Sequence, residues 1–420
     1  MTADPDRDAA LEPARRRARR ALTAGVALGS TGHIAAVTVA TIVAKDLIGT
    51  EALAGVPGAT VVLGAAAGSV LLSSLMARRG RRPGLVAGYG IGVLGALIAT
   101  TAILIRSFEL LLVGTTLIGF GNAANQLSRY AAADMVPPAR RASAIGIVVW
   151  GGTVGSVIGP SLVPIATAMA IGVGLPGLAG PYLVPVVFVG AAALLSWTML
   201  RPDPYELADT TPDEMAAAED AVIDRDPVRA ILRRPAIVAA LVALVVGQIT
   251  MTLIMTMTPL HMTEHGHDLG AVGLVLSGHT LGMYAFSPVS GWLTDRVGRL
   301  PTIYLGTAVL ALSAVMAAVA PPDGGLVLPV GMFLLGLGWS FSYVGGSALL
   351  SDHLELHERT RVQGVADAMI WSAAAAASLG SGLIVAAAGY AALGVLGLGL
   401  VAVAVVVVTR NRNAALTARV

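Results

Sequence analysis

The chain contains no cysteine, so disulfides, thiolate metal centres and cysteine nucleophiles are excluded. Charge is scarce too. Asp, Glu, Lys and Arg together supply 12% of the 420 residues, where a soluble domain averages roughly 25%. A chain of this length with so few charges cannot cover a water-facing surface, and lipid must cover it instead. Lysine is reduced to Lys45, and arginine makes up the rest of the 27 basic residues. That is a composition bias without a functional reading. Enzyme marks are missing as well. The chain has no H-E-x-x-H helix, no G-x-S-x-G elbow and no phosphate-cradling P-loop. An intramembrane enzyme and an ATP-driven pump acting alone both lose their support. No cofactor and no nucleic-acid partner is expected.

What the chain does have is apolar length. Hydrophobic residues make up 55% of it, and many runs reach about 20 residues, enough to cross roughly 30 Å of hydrocarbon. Reading these runs between charged or Gly/Pro-rich breaks gives twelve spans, at 21–45, 52–76, 83–105, 108–132, 142–171, 180–200, 235–260, 270–293, 301–320, 326–350, 361–387 and 389–409. The fold class expected is an all-α membrane protein. With the N-terminus in the cytoplasm, 25 basic residues fall on cytoplasmic segments and only Lys45 and Arg106 on the external side, which orients the chain by the positive-inside rule. Both termini are then cytoplasmic, and a plasma (inner) membrane is the expected location. The Arg15–Arg20 cluster before an apolar run has the look of a signal peptide. The first span is long, however, and the internal repeat needs it.

That repeat appears on shifting the chain by 218 residues. Gly80, Arg81 and Pro83 then fall on Gly298, Arg299 and Pro301; Asp134 falls on Asp352, Arg141 on Arg359, Gly146 on Gly364, Gly29 on Gly247 and Gly55 on Gly273. Abundant glycine matches itself by chance, but Asp, Arg and Pro in one register do so less readily. The expected organisation is a basic N-tail at 1–20, a six-helix bundle at 21–200, a Pro- and acid-rich linker at 201–234, a second six-helix bundle at 235–409 and a tail at 410–420. The linker composition reads as flexible.

The segment Gly291 to Pro301, GWLTDRVGRLP, resembles the G-x-x-x-D-R-x-G-R signature of the major facilitator superfamily. Its elements are Gly291, Asp295, Arg296, Gly298 and Arg299. The first-half copy reads SSLMARRGRRP. It keeps Arg78, Gly80, Arg81 and Pro83 but has Ala77 for the aspartate and Ser73 for the glycine. A carboxylate at a helix end can hold a neighbouring helix N-terminus and a nearby arginine, as a latch that breaks and remakes during transport. Alternatively these charges only stop helices at the membrane face. In span 5, Gly146, Gly155, Gly159 and Pro160 resemble the antiporter motif of the family's 12-helix drug/proton exporters, with Val163 and Pro164 where a Gly pair usually follows. The span-4 arginine common in family exporters is absent, Thr115 standing in its place. The resemblance implies a major-facilitator fold of two pseudo-symmetric bundles, with spans 1, 4, 7 and 10 lining a substrate cavity.

Those four spans carry polar or aromatic stripes, and a polar group facing lipid is costly. Span 1 offers Ser30 and His33; span 4 offers Asn122, Asn125, Gln126 and Arg129 at helical spacing. Span 7 offers Gln248, Thr252 and Thr256 with Met251 and Met255, and span 10 offers Trp339, Ser342 and Tyr343. Amides, hydroxyls, aromatics and methionines suit a lipophilic or amphipathic small molecule better than a sugar or a small anion. Arg129 either contacts substrate or snorkels from the end of span 4. The proton-coupling candidates are Asp367, His33 and His279, each alternatively a neutral helix–helix contact. The segment His261–Asp268, with His265, Glu264 and His267, reads as a solvated loop rather than a metal site. The expected function is proton-coupled efflux by a monomeric secondary transporter. Its alternatives are an importer of a metabolite or metal complex on the same fold, or a transport-inactive sensor or assembly partner.

Overall fold

A computed structural model of the chain describes residues 5–49, 53, 55–208, 228–267, 269–321 and 325–416. Among the described residues the regular structure is helical. Span 1 is Pro5–Ile48, span 2 Val56–Arg79, span 3 Arg81–Leu104, span 4 Phe108–Asp134, span 5 Arg141–Gly172 and span 6 Gly180–Met199. Span 7 is Pro235–Glu264, span 9 Arg299–Val319, span 10 Val327–Asp352, span 11 Leu356–Ala388 and span 12 Ala391–Arg410. Span 8 comes in two pieces, Leu269–Thr280 and Ser287–Val297, joined by a wider π turn at Leu281–Ala285.

Ten of these helices are long and apolar enough to cross a membrane by composition alone. The other two depart for readable reasons. Span 4 has 27 residues, yet Asn122, Asn125, Gln126 and Arg129 interrupt its apolar run. Span 8 is broken at the π turn, with Pro288 in the first turn of its second piece, and a proline cannot continue the preceding ladder.

Helix ends follow local chemistry. Span 4 starts at Ser107, whose hydroxyl accepts from the Leu110 amide at 3.2 Å, satisfying one free N–H of the first turn. Spans 2 and 3 meet at Gly80, with φ +90° and ψ 170°. The second piece of span 8 and span 9 meet at Gly298, with φ +104° and ψ 163°. Only glycine occupies that region without strain, so the matched pair Gly80 and Gly298 is explained by one backbone turn used twice.

The described chain packs as two compact units. The first contains residues up to Pro137, then Val148–Arg225 and Leu356–Trp371. The second contains Pro138–Ile147, Asp226–Glu355 and residues from Ser372 onward. The division therefore runs through spans 5 and 11. The first ten positions around the start of span 5 pack with the second unit, and the first half of span 11 packs with the first.

In the first unit, Ala36, Val39, Ala96, Ala99, Leu111, Ile118 and Tyr182 form an apolar core from spans 1, 3, 4 and 6. Gly64 of span 2 lies on the backbone of Thr116 in span 4, leaving no room for a side chain. Small residues let helices approach this closely where no water drives them together. Span 1 begins well inside the expected 1–20 tail, and Arg15 donates to the carbonyl of Leu207 at 3.0 Å. The start of the expected linker thus docks on the N-terminal helix, while residues 209–227 lie outside the described residues.

Candidate functional site

The polar stripe of span 4 is the centre of the first unit. Asn125 donates to Ser30 Oγ at 3.0 Å and accepts from the Tyr89 hydroxyl at 2.9 Å, tying spans 1, 3 and 4 together. Asn122 is buried beside it and Gln126 is half-buried. His33 is half-buried, but its Nδ1 is buried and has no hydrogen-bond partner.

One turn further, Arg129 is 1% exposed, so it does not snorkel. Its Nη2 donates to Asp367 Oδ1 at 2.6 Å and its Nη1 to Oδ2 at 3.2 Å. Both side chains are 1% exposed, and the paired geometry satisfies both carboxylate oxygens. Tyr130 closes the group. Its hydroxyl accepts from Arg129 at 2.9 Å and reaches Asp367 Oδ1 at 3.4 Å, while its ring lies 4.2 Å from the guanidinium. Two residues read separately from the sequence, one as a cavity residue and one as a proton carrier, are one ion pair.

Beside that pair, Arg81 is buried and donates through Nε and Nη2 to Asp134 Oδ2 at 3.1 and 2.7 Å. The same Nη2 donates to Gln363 Oε1 at 2.7 Å. Arg359 stands 3.6 Å from the other Asp134 oxygen. Asp203 accepts from the amides of Arg81 and Arg82 at 3.0 and 2.9 Å, capping span 3. Arg78 is exposed.

The second unit carries the complete signature. Asp295 accepts from the backbone amides of Ala142 and Ser143 at 3.2 and 2.8 Å, which are free N–H groups at the start of span 5. Arg299 pairs with Asp295 at 3.2 Å and with Asp352 at 2.8 Å, and it also donates to the Pro138 carbonyl. Arg141 holds the second oxygen of Asp352 at 2.9 Å. Arg296 is exposed over the Trp292 ring. Gly291 packs on Ala142 and Ser143, and Gly146 packs on the Ser287 carbonyl. Of the span-5 glycines, Gly146 therefore lies in the second unit. Gly155 and Gly159, with Pro160 next to them, lie against span 1 in the first.

The aromatic group of this unit is compact. Trp339 stacks on Tyr343 at 4.3 Å and meets the edge of Tyr284 at 5.9 Å. Its indole N–H donates to Gln248 Oε1 at 2.9 Å, and Gln248 Nε2 reaches Thr252 at 3.2 Å. Thr256 follows one turn on, half-buried. Ser342 is set apart from them: it fills the seam against Gly247 and Gly306 of spans 7 and 9. His279 donates through Nδ1–H to the Met332 carbonyl at 2.9 Å and holds spans 8 and 10 together.

The segment from His261 is not all loop. Span 7 continues as helix through Glu264, and His261 stacks on Tyr390 at 4.2 Å. Asp268 lies outside the described residues. Among the described residues, no three His, Cys, Asp or Glu side chains gather as a metal site.

The residues that sequence reasoning passed over are Tyr89, Tyr130, Asp203 and Gln363. Gln363 had a signal. It stands four residues before Asp367, on the same helix face.

The family model described as Major Facilitator Superfamily matches residues 21–270 and 241–418. The chain belongs to the major facilitator superfamily. It is 39% identical over 372 residues to the uncharacterized MFS-type transporter YdeG of Bacillus subtilis (strain 168), covering 88% of this chain and 86% of that one. It is 30% identical to the riboflavin transporter RfnT of Brucella anthropi, covering 88% of this chain and 89% of the relative. Among solved structures, the proton:xylose symporter XylE matches with a TM-score of 0.78 at 13% identity, over 95% of this chain and 96% of that one. A bacterial homologue of the iron transporter ferroportin matches with a TM-score of 0.73 at 14% identity, over 94% and 99%. These two likenesses are of fold alone. This major facilitator superfamily protein is thus a multi-pass membrane transporter of twelve helices and not an enzyme.

Proposed function

We propose that the chain is a secondary active transporter that works by alternating access, exporting amphipathic, ring-bearing small molecules in exchange for protons. The observation that carries this reading is the Arg129–Asp367 pair. Two opposite charges at 1% exposure are stable together and costly apart. A proton on Asp367 removes one charge and leaves the guanidinium without a counter-charge, so proton binding and separation of the pair favour each other. Residues 356–371 are held in the first unit partly through this pair. Their release on protonation links a proton to a change of packing, which coupled transport requires.

The substrate class is supported by the second unit. Trp339 and Tyr343 offer a flat aromatic face, and Gln248, Thr252 and Thr256 offer hydrogen-bonding edges beside it. A flat molecule with a polar rim suits both. The termini are cytoplasmic on the charge count, and the monomer is the transporting unit.

In proteoliposomes, with riboflavin and ethidium as flat-ring probes, Asp367→Asn is expected to keep counterflow and to lose flux driven by a pH gradient. An unchanged pH dependence in that variant contradicts the reading. A second direction is favoured by one observation, the likeness to a riboflavin transporter: uptake of a flat metabolite through the same site. Vesicles of known orientation separate the two, since export accumulates the probe only in inside-out vesicles.

A further inference from the structure

Asp295 has two free amides to hold because of where span 5 begins. Span 5 begins as a 3-10 turn at Pro138–Arg140 and becomes α-helical at Arg141, and the N–H groups of Ala142 and Ser143, in the first α-helical turn, donate to Asp295. The 218-residue register places Thr360 and Arg361 on those two positions. Glu355 and Leu356 stand where span 5 has its prolines, and the span 11 helix starts already at Leu356. Thr360 and Arg361 therefore lie one turn inside a helix, with their amides bonded to preceding carbonyls. The amides in the matching register are therefore not open to a carboxylate at position 77, and Ala77 is exposed.

Arg81 still needs acceptors. It is 1% exposed, and Asp134, its carboxylate partner, also faces Arg359. One carboxylate serves two guanidiniums. Beyond the weak Met76 sulfur acceptor at 4.0 Å, the further acceptor is the amide oxygen of Gln363, fully buried, at 2.7 Å. Its neighbour Gly364 lies on Ser73 and on the Ser69 carbonyl, with no space for a side chain.

We infer that Gln363 is the positioning residue of the first-unit latch. Its amide oxygen holds Arg81, and thereby the first half of span 11, in place of the carboxylate that Asp295 supplies in the second unit. The inference rests on the alternating-access reading and adds to it the contact that keeps one state shut. The two latches close on different chemistry: a charged cap on free helix amides in one, a neutral amide on a buried guanidinium in the other.

The cysteine-free chain makes the test direct. Ser73→Cys puts a single thiol at a position 1% exposed beneath Gly364, and its reaction rate with N-ethylmaleimide is read in full-length protein in membranes. Gln363→Ala in that background is expected to speed the reaction at least about tenfold, because a hydrogen bond to a charged group is lost and a buried guanidinium is left short of an acceptor. Gln363→Glu keeps an oxygen in place and is expected to react no faster than the Gln363 parent. The inference is overturned if the alanine variant reacts at the parent's rate, or if the glutamate variant reacts as fast as the alanine one. The transport reading fails on a different result, the absence of any counterflow in the parent.

Discussion

The turn between spans 2 and 3 and the turn between spans 8 and 9 share a backbone and differ in what they hold. Gly80 and Gly298 adopt the same glycine-only conformation, and Arg81 and Arg299 leave them in the same register to pair with Asp134 and Asp352. Around that common frame the chemistry diverges. The second turn carries Asp295 and caps the first α-helical turn of span 5, which follows the 3-10 turn at Pro138–Arg140. The first carries Ala77 and faces a helix that is already α-helical at Leu356, so the amides in the matching register are bonded within it. In exchange the first unit has Gln363 on Arg81, Asp203 on the span 3 amides, and Arg129 paired with Asp367. Ser347 and Val149 occupy the register positions of that last pair, and neither carries a charge that could form its counterpart. Backbone geometry has been kept in both halves, and ionisable chemistry has been redistributed between them.

The comparison can be broken at the glycines first. Gly80→Ala and Gly298→Ala are each expected to cost about 1–3 kcal/mol in backbone strain. Gly80→Ala is the more damaging by about 1 kcal/mol, since its Cβ would meet the Asp203 carboxylate at 2.6 Å, whereas at Gly298 the nearest atom is Pro301 Cδ at 3.5 Å. Thermal unfolding in detergent ranks the two. Equal losses would mean that Asp203 contributes nothing to the first turn.

The carboxylates come next. Asp295→Ala leaves two amides uncapped and removes one partner of Arg299, for a loss of about 2 kcal/mol. The reciprocal Ala77→Asp is expected to change stability by less than about 0.5 kcal/mol, because the amides in the matching register, those of Thr360 and Arg361, are bonded within span 11 and Ala77 is exposed. A large stabilisation by Ala77→Asp would show that the first seat is vacant rather than rebuilt. Asp203→Ala is expected to cost less than Asp295→Ala, about 1 kcal/mol for a lost helix cap, and it should also lessen the difference between the two glycine variants.

Much of this organisation is legible in the sequence, for a physical reason. A lipid environment forces long apolar runs, and a turn of positive φ forces glycine, so spans and paired turns leave marks in one dimension. Partnerships across the fold were not legible. Gln363 lies 282 residues from Arg81, and Asp367 lies 238 from Arg129. Nothing in the local pattern of span 4 distinguishes an arginine that snorkels from one that is buried against a carboxylate. Ser342 shares a helical stripe with Trp339 and Tyr343, yet it fills a helix seam, because period alone does not say which neighbour a face meets. His279 was legible as protein-facing, and its partner, a backbone carbonyl of span 10, has no sequence signature at all.

The central claim is that the proton passes through Asp367, in the unit whose latch lacks the Asp295-type carboxylate. The direct measurement is proton movement itself. Protein is reconstituted in liposomes holding a trapped pH-sensitive dye, and an imposed gradient of the flat-ring probe drives transport. The account predicts that probe movement shifts the internal pH in the parent protein, and that Asp367→Asn still passes the probe down its gradient with no pH shift. A variant that moves the probe and the proton together as the parent does would contradict it.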